Sequence, residues 1–122
     1  MQQTLRDQRI TSQRETRRAA YVACLTQGVR ARDAVVAEWG DHSDEVRARR
    51  EAALAAFNEA VWVVRIEGSA DAVVAADWMS STMNRTDTQF NHRCVEFLDA
   101  AKRDLEIDIP SMDSSSGEVD GR

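Results

Sequence analysis

A few side chains have types that could do chemistry, and their spacing decides what that chemistry could be. Asp41-His42-Ser43 holds the three residue types of a hydrolase triad. Triad members converge from separated segments, because consecutive residues cannot align nucleophile, base and orienting acid. The same three residues suit a turn followed by a helix start, with serine as the cap. Cys24, His42, His92 and Cys94 offer four candidate zinc ligands. On a helix His92 and Cys94 stand about 200° apart, since each residue advances ~100°, so the two cannot share one metal. Cys94 fits an apolar stripe and Cys24 adjoins another, where cysteine acts as a small hydrophobe. No repeated E-x-x-H supplies a di-iron site, and the glycine-rich phosphate loops are absent. The expectation is a protein that is not an enzyme, with no catalytic residue, no metal and no cofactor.

Arginine is the other candidate. Arg14, Arg17 and Arg18 share a helix face at steps of three and four, inside a basic segment that also holds Arg6 and Arg9. Such a face could take anions, and phosphate contacts from it would be weak and salt-sensitive. Charge is unevenly spread: residues 1–50 sum to +3 and residues 51–122 to −8, for a net −5. A chain polarised in this way can pair with itself or with a polarised partner. Asp77 stands among apolar positions and calls for Arg32 or Arg65 as an ion-pair partner.

These side chains must be held by helices. Ser43 to Glu67 reads as the central one: Ser43 caps it, Asp44 and Glu45 suit its first turn, and Leu54, Phe57, Val61 and Val64 make an inward seam. Gly68 supplies a stop through the left-handed conformation. Before it, Ser12-Gln13-Arg14-Glu15 matches the S-x-x-E capping box, so a first helix is expected from Gln13 to Trp39. Tyr21, Leu25, Val29, Val36 and Trp39 mark its buried side, widened by Val22 and Val35, and Gly28 suits a kink or a close crossing. The turn at residues 40–42 makes the two helices an αα-hairpin.

After Gly68, Ser69 caps a third helix running to about Met83, with Val73, Val74, Ala76, Trp78 and Met79 apolar. Thr86-Asp87-Thr88-Gln89 is a second capping box, opening a fourth helix along Phe90, Cys94, Phe97, Leu98, Ala101 and Leu105. Residues 61–67, VWVVRIE, have strand-like composition, but no second strand exists for them to pair with. Hydrophobic residues at 43% and charged residues at 30% suit a globular domain, and no apolar run reaches the length of a membrane span. Two cysteines and no apolar leader fit a cytoplasmic protein with reduced thiols.

The pieces RRAAYVACLTQGVRA and FNEAVWVVRIEGSADAVVAADWM resemble a group of small helical proteins of actinobacteria. In that group an Arg-Arg-x-x-Tyr start and a V-x-x-x-G-x-x-x-V-x-x-A corner between helices recur. The matching positions are Arg17, Arg18, Tyr21, Val64, Gly68, Ala72 and Ala76, the corner in outline. The resemblance implies a helical bundle and brings no activity or site residues.

The organisation expected is all-α: an antiparallel bundle of four helices whose two long N-terminal helices form the hairpin. A polar basic arm covers 1–12, the bundle 13–105 and a disordered acidic tail 106–122, where Pro110 ends any helix. Val61, Trp62, Val63, Val64 and Ile66 surround the end of the central helix, more than one neighbour can cover. Trp39, Val61, Trp62 and Ile66 are therefore the candidate self-association residues, in a homodimer or against a helical partner. The function expected is a protein–protein interaction or assembly module, as an accessory of a mobile element or phage. The alternative is a nucleic-acid-associated regulator using the basic arm.

Overall fold

The computed structural model describes residues 2–107, with side chains from Leu5 to Glu106. Four helices account for almost all of it, and no strand occurs among the described residues: α1 Gln2–Gly40, α2 Asp44–Glu67, α3 Ala70–Ser81 and α4 Gln89–Ile107. Residues 61–67 are helical, as their lack of a pairing strand requires. The acidic tail falls outside the described residues from 108 onward, while residues 106 and 107 close α4.

Helix starts follow capping chemistry where a serine stands in extended conformation. Ser43 accepts from the Val46 N–H at 3.3 Å and Ser69 from the Ala72 N–H at 3.2 Å. The two expected capping boxes do not form. α1 runs straight through Ser12, whose carbonyl accepts from the Thr16 hydroxyl at 2.9 Å. The residues ahead of it are helix-compatible, so a cap is not needed there. At α4 the carboxylate of Asp87, not the Thr86 hydroxyl, accepts from the Gln89 N–H at 3.1 Å. Thr82 ends α3 two residues early, its hydroxyl bonding the carbonyls of Trp78 and Met79.

Gly68 does stop α2, but in extended conformation at φ −93° and ψ 174° rather than left-handed. Its N–H still donates to the Val64 carbonyl at 2.7 Å. Glycine is required because a Cβ there would lie 2.9 Å from the Tyr21 ring and 2.8 Å from the Val64 oxygen. Close approach, not handedness, selects it.

The core forms where the larger side chains of α2 and α4 meet small-residue stripes on α1 and α3. On α2 the seam is the expected one, with Phe57, Val61 and Val64 buried and Leu54 partly so. On α1 it is the expected one only in part: Tyr21 and Val35 are buried and Leu25 partly so, joined by Cys24, Gly28 and Ala31, while Val22, Val29, Val36 and Trp39 are exposed. Small side chains let the helices approach closely: a Cβ on Gly28 would come 2.7 Å from Met79 and 3.1 Å from Phe57. α3 contributes Ala72, Ala75, Ala76 and Met79, and leaves Val74 and Trp78 outside. α4 adds Phe90, Phe97, Ala100 and Ala101.

Polar contacts set the directions. Glu38 near the end of α1 pairs with Arg50 and Arg47 near the start of α2, at 3.0 and 3.7 Å. Tyr21 meets Ser69, just past the end of α2, so α1 and α2 run in opposite senses. α4 also opposes α1, because Arg32 reaches the segment before α4 while Arg14 and Arg17 reach its last turn.

Candidate interaction surfaces

Of the three arginines expected to form an anion-binding face, two face inward. The Arg14 guanidinium donates to the Leu105 carbonyl at 3.4 Å, and Arg17 donates to Asp104 at 3.3 Å. Cations near the last turn of α4 offset its negative end. Arg18 is exposed and joins neither contact. The Tyr21 hydroxyl completes this clasp, donating to Asp104 and accepting from the Ser69 N–H at 3.0 Å. Burial and the Asp104 carboxylate raise the Tyr21 phenol above its usual range, since both disfavour a phenolate. One side chain thus ties α1 to α4 and to the α2–α3 turn.

Arg32 does parallel work at the other end of the bundle. It donates to the carbonyls of Met83 at 2.8 Å and Arg85 at 2.6 Å, with Trp39 and Phe90 within 5.1 and 5.5 Å of its guanidinium. Of its two expected partners, Asp77 pairs with Arg65, at 2.6 Å and at the surface.

Asp41 accepts from the Ser43 N–H at 3.0 Å, which lowers its pKa, and Ser43 caps α2; His42 is exposed beside them in the turn. Cys24 is buried and Cys94 half-buried. Burial pushes their thiols up to about 12 and about 11, opposite to what a nucleophile or metal ligand needs. Among the described residues no group of three His, Cys, Asp or Glu side chains could hold a metal ion. None of the described helices is long and apolar enough to cross a membrane.

Most apolar side chains left outside fall on two faces, apart from Leu5, Ile10 and Trp39 of α1 and Val74 and Trp78 of α3. One lies on the back of α2, where Trp62 is 60% and Ile66 74% exposed, with Val63 beside them and Arg65 5.0 Å from the Trp62 ring. Val61, expected to join them, is in the core at 6%. Trp39 is exposed too, but stands beside Arg32 on α1, away from the Trp62 pair.

The second face was read from sequence as core. Val22, Val29 and Val36 recur every seven residues along α1 and are 58%, 45% and 43% exposed. Arg14, Tyr21 and Arg32, which reach α4, border this stripe on one side. On α4 the exposed Leu98 and Val95 continue outward from half-buried Cys94. Each set is displaced in the same rotational sense on its own helix, and for antiparallel helices those flanks coincide. The result is an open apolar border along the α1–α4 contact.

No protein-family model, curated protein or solved structure matches this chain.

Proposed function

We propose that the protein is a non-enzymatic assembly module, a helical bundle that joins with other chains through its outer apolar faces. The observation that carries this reading is the Val22, Val29, Val36 stripe of α1, uncovered along three successive heptads. A soluble domain commonly scatters single apolar side chains over its surface, whereas a repeated stripe marks a contact. Trp62 and Ile66 add a second, separate patch with the tryptophan enrichment of interfaces. The reactive groups support no competing chemistry: the cysteines are held as thiols, and Arg17 is spent on Asp104.

Such a module fits an accessory role in building a larger assembly, as in a mobile element or phage. Size-exclusion chromatography with light scattering tests it. At tens of micromolar the mass should exceed the 13.7 kDa of one chain. A mass fixed at one chain over the whole accessible range counts against assembly through these faces.

A further inference from the structure

The outer face of α2 carries a seam as regular as its buried one. Ala48, Ala52, Ala55, Glu59, Trp62 and Ile66 follow at steps of four, three, four, three and four, and all six are exposed. At ~100° per residue they fall within about 80° of one another, opposite Phe57, Val61 and Val64 in the core. Alternating steps of three and four are those of a coiled-coil seam. Its two halves are unequal: the first is all alanine, and the second holds Trp62 and Ile66. Close packing therefore needs a partner that is bulky where this helix is small and small where it is bulky. The same seam read in reverse meets that need.

We propose that a second copy of the chain lays its own α2 antiparallel on this face, with Ala48 facing Ile66, Ala52 facing Trp62 and Ala55 facing Glu59 of the second copy. The two-fold axis repeats each layer, so both tryptophans and both isoleucines rest on alanine. Charge agrees with shape. On one flank the register sets Glu51 beside Arg65 of the second copy, and Arg65, bonded to Asp77 through one nitrogen, has further donors to offer. On the other flank Arg49, bonded to Glu45, borders Val63 with its aliphatic stem. Asp44 and Glu45 face past Gly68, where the α2 of the second copy has ended. Glu59, the one charge within the seam between Ala48 and Ile66, meets Ala55, and the two Glu59 side chains stand a layer apart.

Other arrangements fail at Glu59 or at the bulky end. A parallel pair stacks Glu59 on Glu59 and tryptophan on tryptophan, which holds the alanines apart. Sliding the antiparallel pair by a heptad sets Glu59 against Trp62 in one direction. In the other it sets Trp62 against Glu45 and Ile66 against Asp41. Half-heptad slips bring Glu59 onto Glu59 or Ile66 onto Glu45. One register alone seats every large side chain on a small one and pairs opposite charges.

This inference rests on the assembly reading and names the occupant of the α2 face. Sedimentation equilibrium of the full chain tests it, with circular dichroism confirming that each variant stays helical, as the exposure of Ala52 and Trp62 leads one to expect. The parent carries Val29→Glu, which removes the α1 stripe as a contact, and it should still sediment as two chains at tens of micromolar. Ala52→Trp, which sets tryptophan on tryptophan, and Trp62→Ala, which leaves alanine on alanine, should each weaken that dimer by about a hundredfold. Exchanging the two sizes, A52W/W62A, should restore association to within about tenfold of the parent, because each tryptophan again faces an alanine. Glu51→Arg, which sets like charges together twice, should weaken the dimer by about tenfold. Single variants without effect, or a size exchange weaker than either single variant, overturn the register. Association that needs Val29 and ignores Trp62 keeps the assembly reading and overturns this inference alone. A wild-type chain at single-chain mass removes both.

Discussion

Removing one oxygen from Tyr21 should cost the bundle about 2–3 kcal/mol. In Tyr21→Phe the ring keeps its edge-to-face packing on Phe97, 5.9 Å between centroids at 83°. Lost are a hydrogen bond to a carboxylate and one from the Ser69 N–H, both in partly buried surroundings. A bond to a charged group contributes about 1.5–3 kcal/mol, and an orphaned backbone donor adds roughly 1 kcal/mol or more. Arg17 stays on Asp104 and easier burial of the phenyl ring offsets part of the sum, so the lower half of that range is expected. That is a sizeable share of the ~5–15 kcal/mol that stabilises a typical domain. Urea unfolding followed by far-ultraviolet circular dichroism at one fixed protein concentration measures it. A double-mutant cycle with Asp104→Asn should show coupling between the two positions. A loss under about 0.5 kcal/mol, or additive losses in the cycle, would refute the clasp as a tie between three segments.

Alkaline pH should loosen the core. Cys24 rises from 9.0 to about 12 on folding, so its protonated form contributes stability that is complete below pH 9 and disappears as pH climbs towards 12. Tyr21 and Cys94 shift upward too and add in the same direction, and Cys24→Ala should flatten the stability profile over that range when urea midpoints are compared. Gly28→Leu should destabilise by about 1–3 kcal/mol in the same urea assay, because Met79 and Phe57 occupy the space a side chain would need. Nucleic-acid binding, measured by fluorescence anisotropy against salt, should be absent at physiological ionic strength. Arg17 is held by Asp104 and Arg14 turns to the end of α4, leaving too few phosphate contacts.

Much of the architecture is legible in the chain because helix signals are local. Ser43 and Ser69 cap where they should, the Leu54–Phe57–Val61–Val64 seam faces inward, and Phe90, Phe97 and Ala101 line up on α4. The misplaced seam of α1 has a physical cause. Two stripes run along that helix a residue apart, one of large side chains and one through Cys24, Gly28 and Ala31. Hydrophobic periodicity favours the larger stripe, whereas close packing against Phe57 and Met79 needs the smaller one. Asp104 could not be singled out, since its partners Arg17 and Tyr21 lie more than eighty residues away. Gly68 was placed correctly for the wrong reason, because the neighbour that excludes a Cβ is Tyr21, distant in the chain. The candidate interface became visible only when the helices were assembled and the large stripe was left outside.

The most direct test places wild type and Val29→Glu side by side in sedimentation equilibrium. Val29 is half in water in the single chain, so a glutamate there should leave the helical fold intact. In an assembly through this stripe it would place a carboxylate among apolar side chains removed from water. Wild type should sediment at a greater mass than Val29→Glu at tens of micromolar, with matching circular dichroism spectra. A wild-type chain at single-chain mass, or a Val29→Glu variant that associates as well as wild type, would contradict assembly through the α1 stripe.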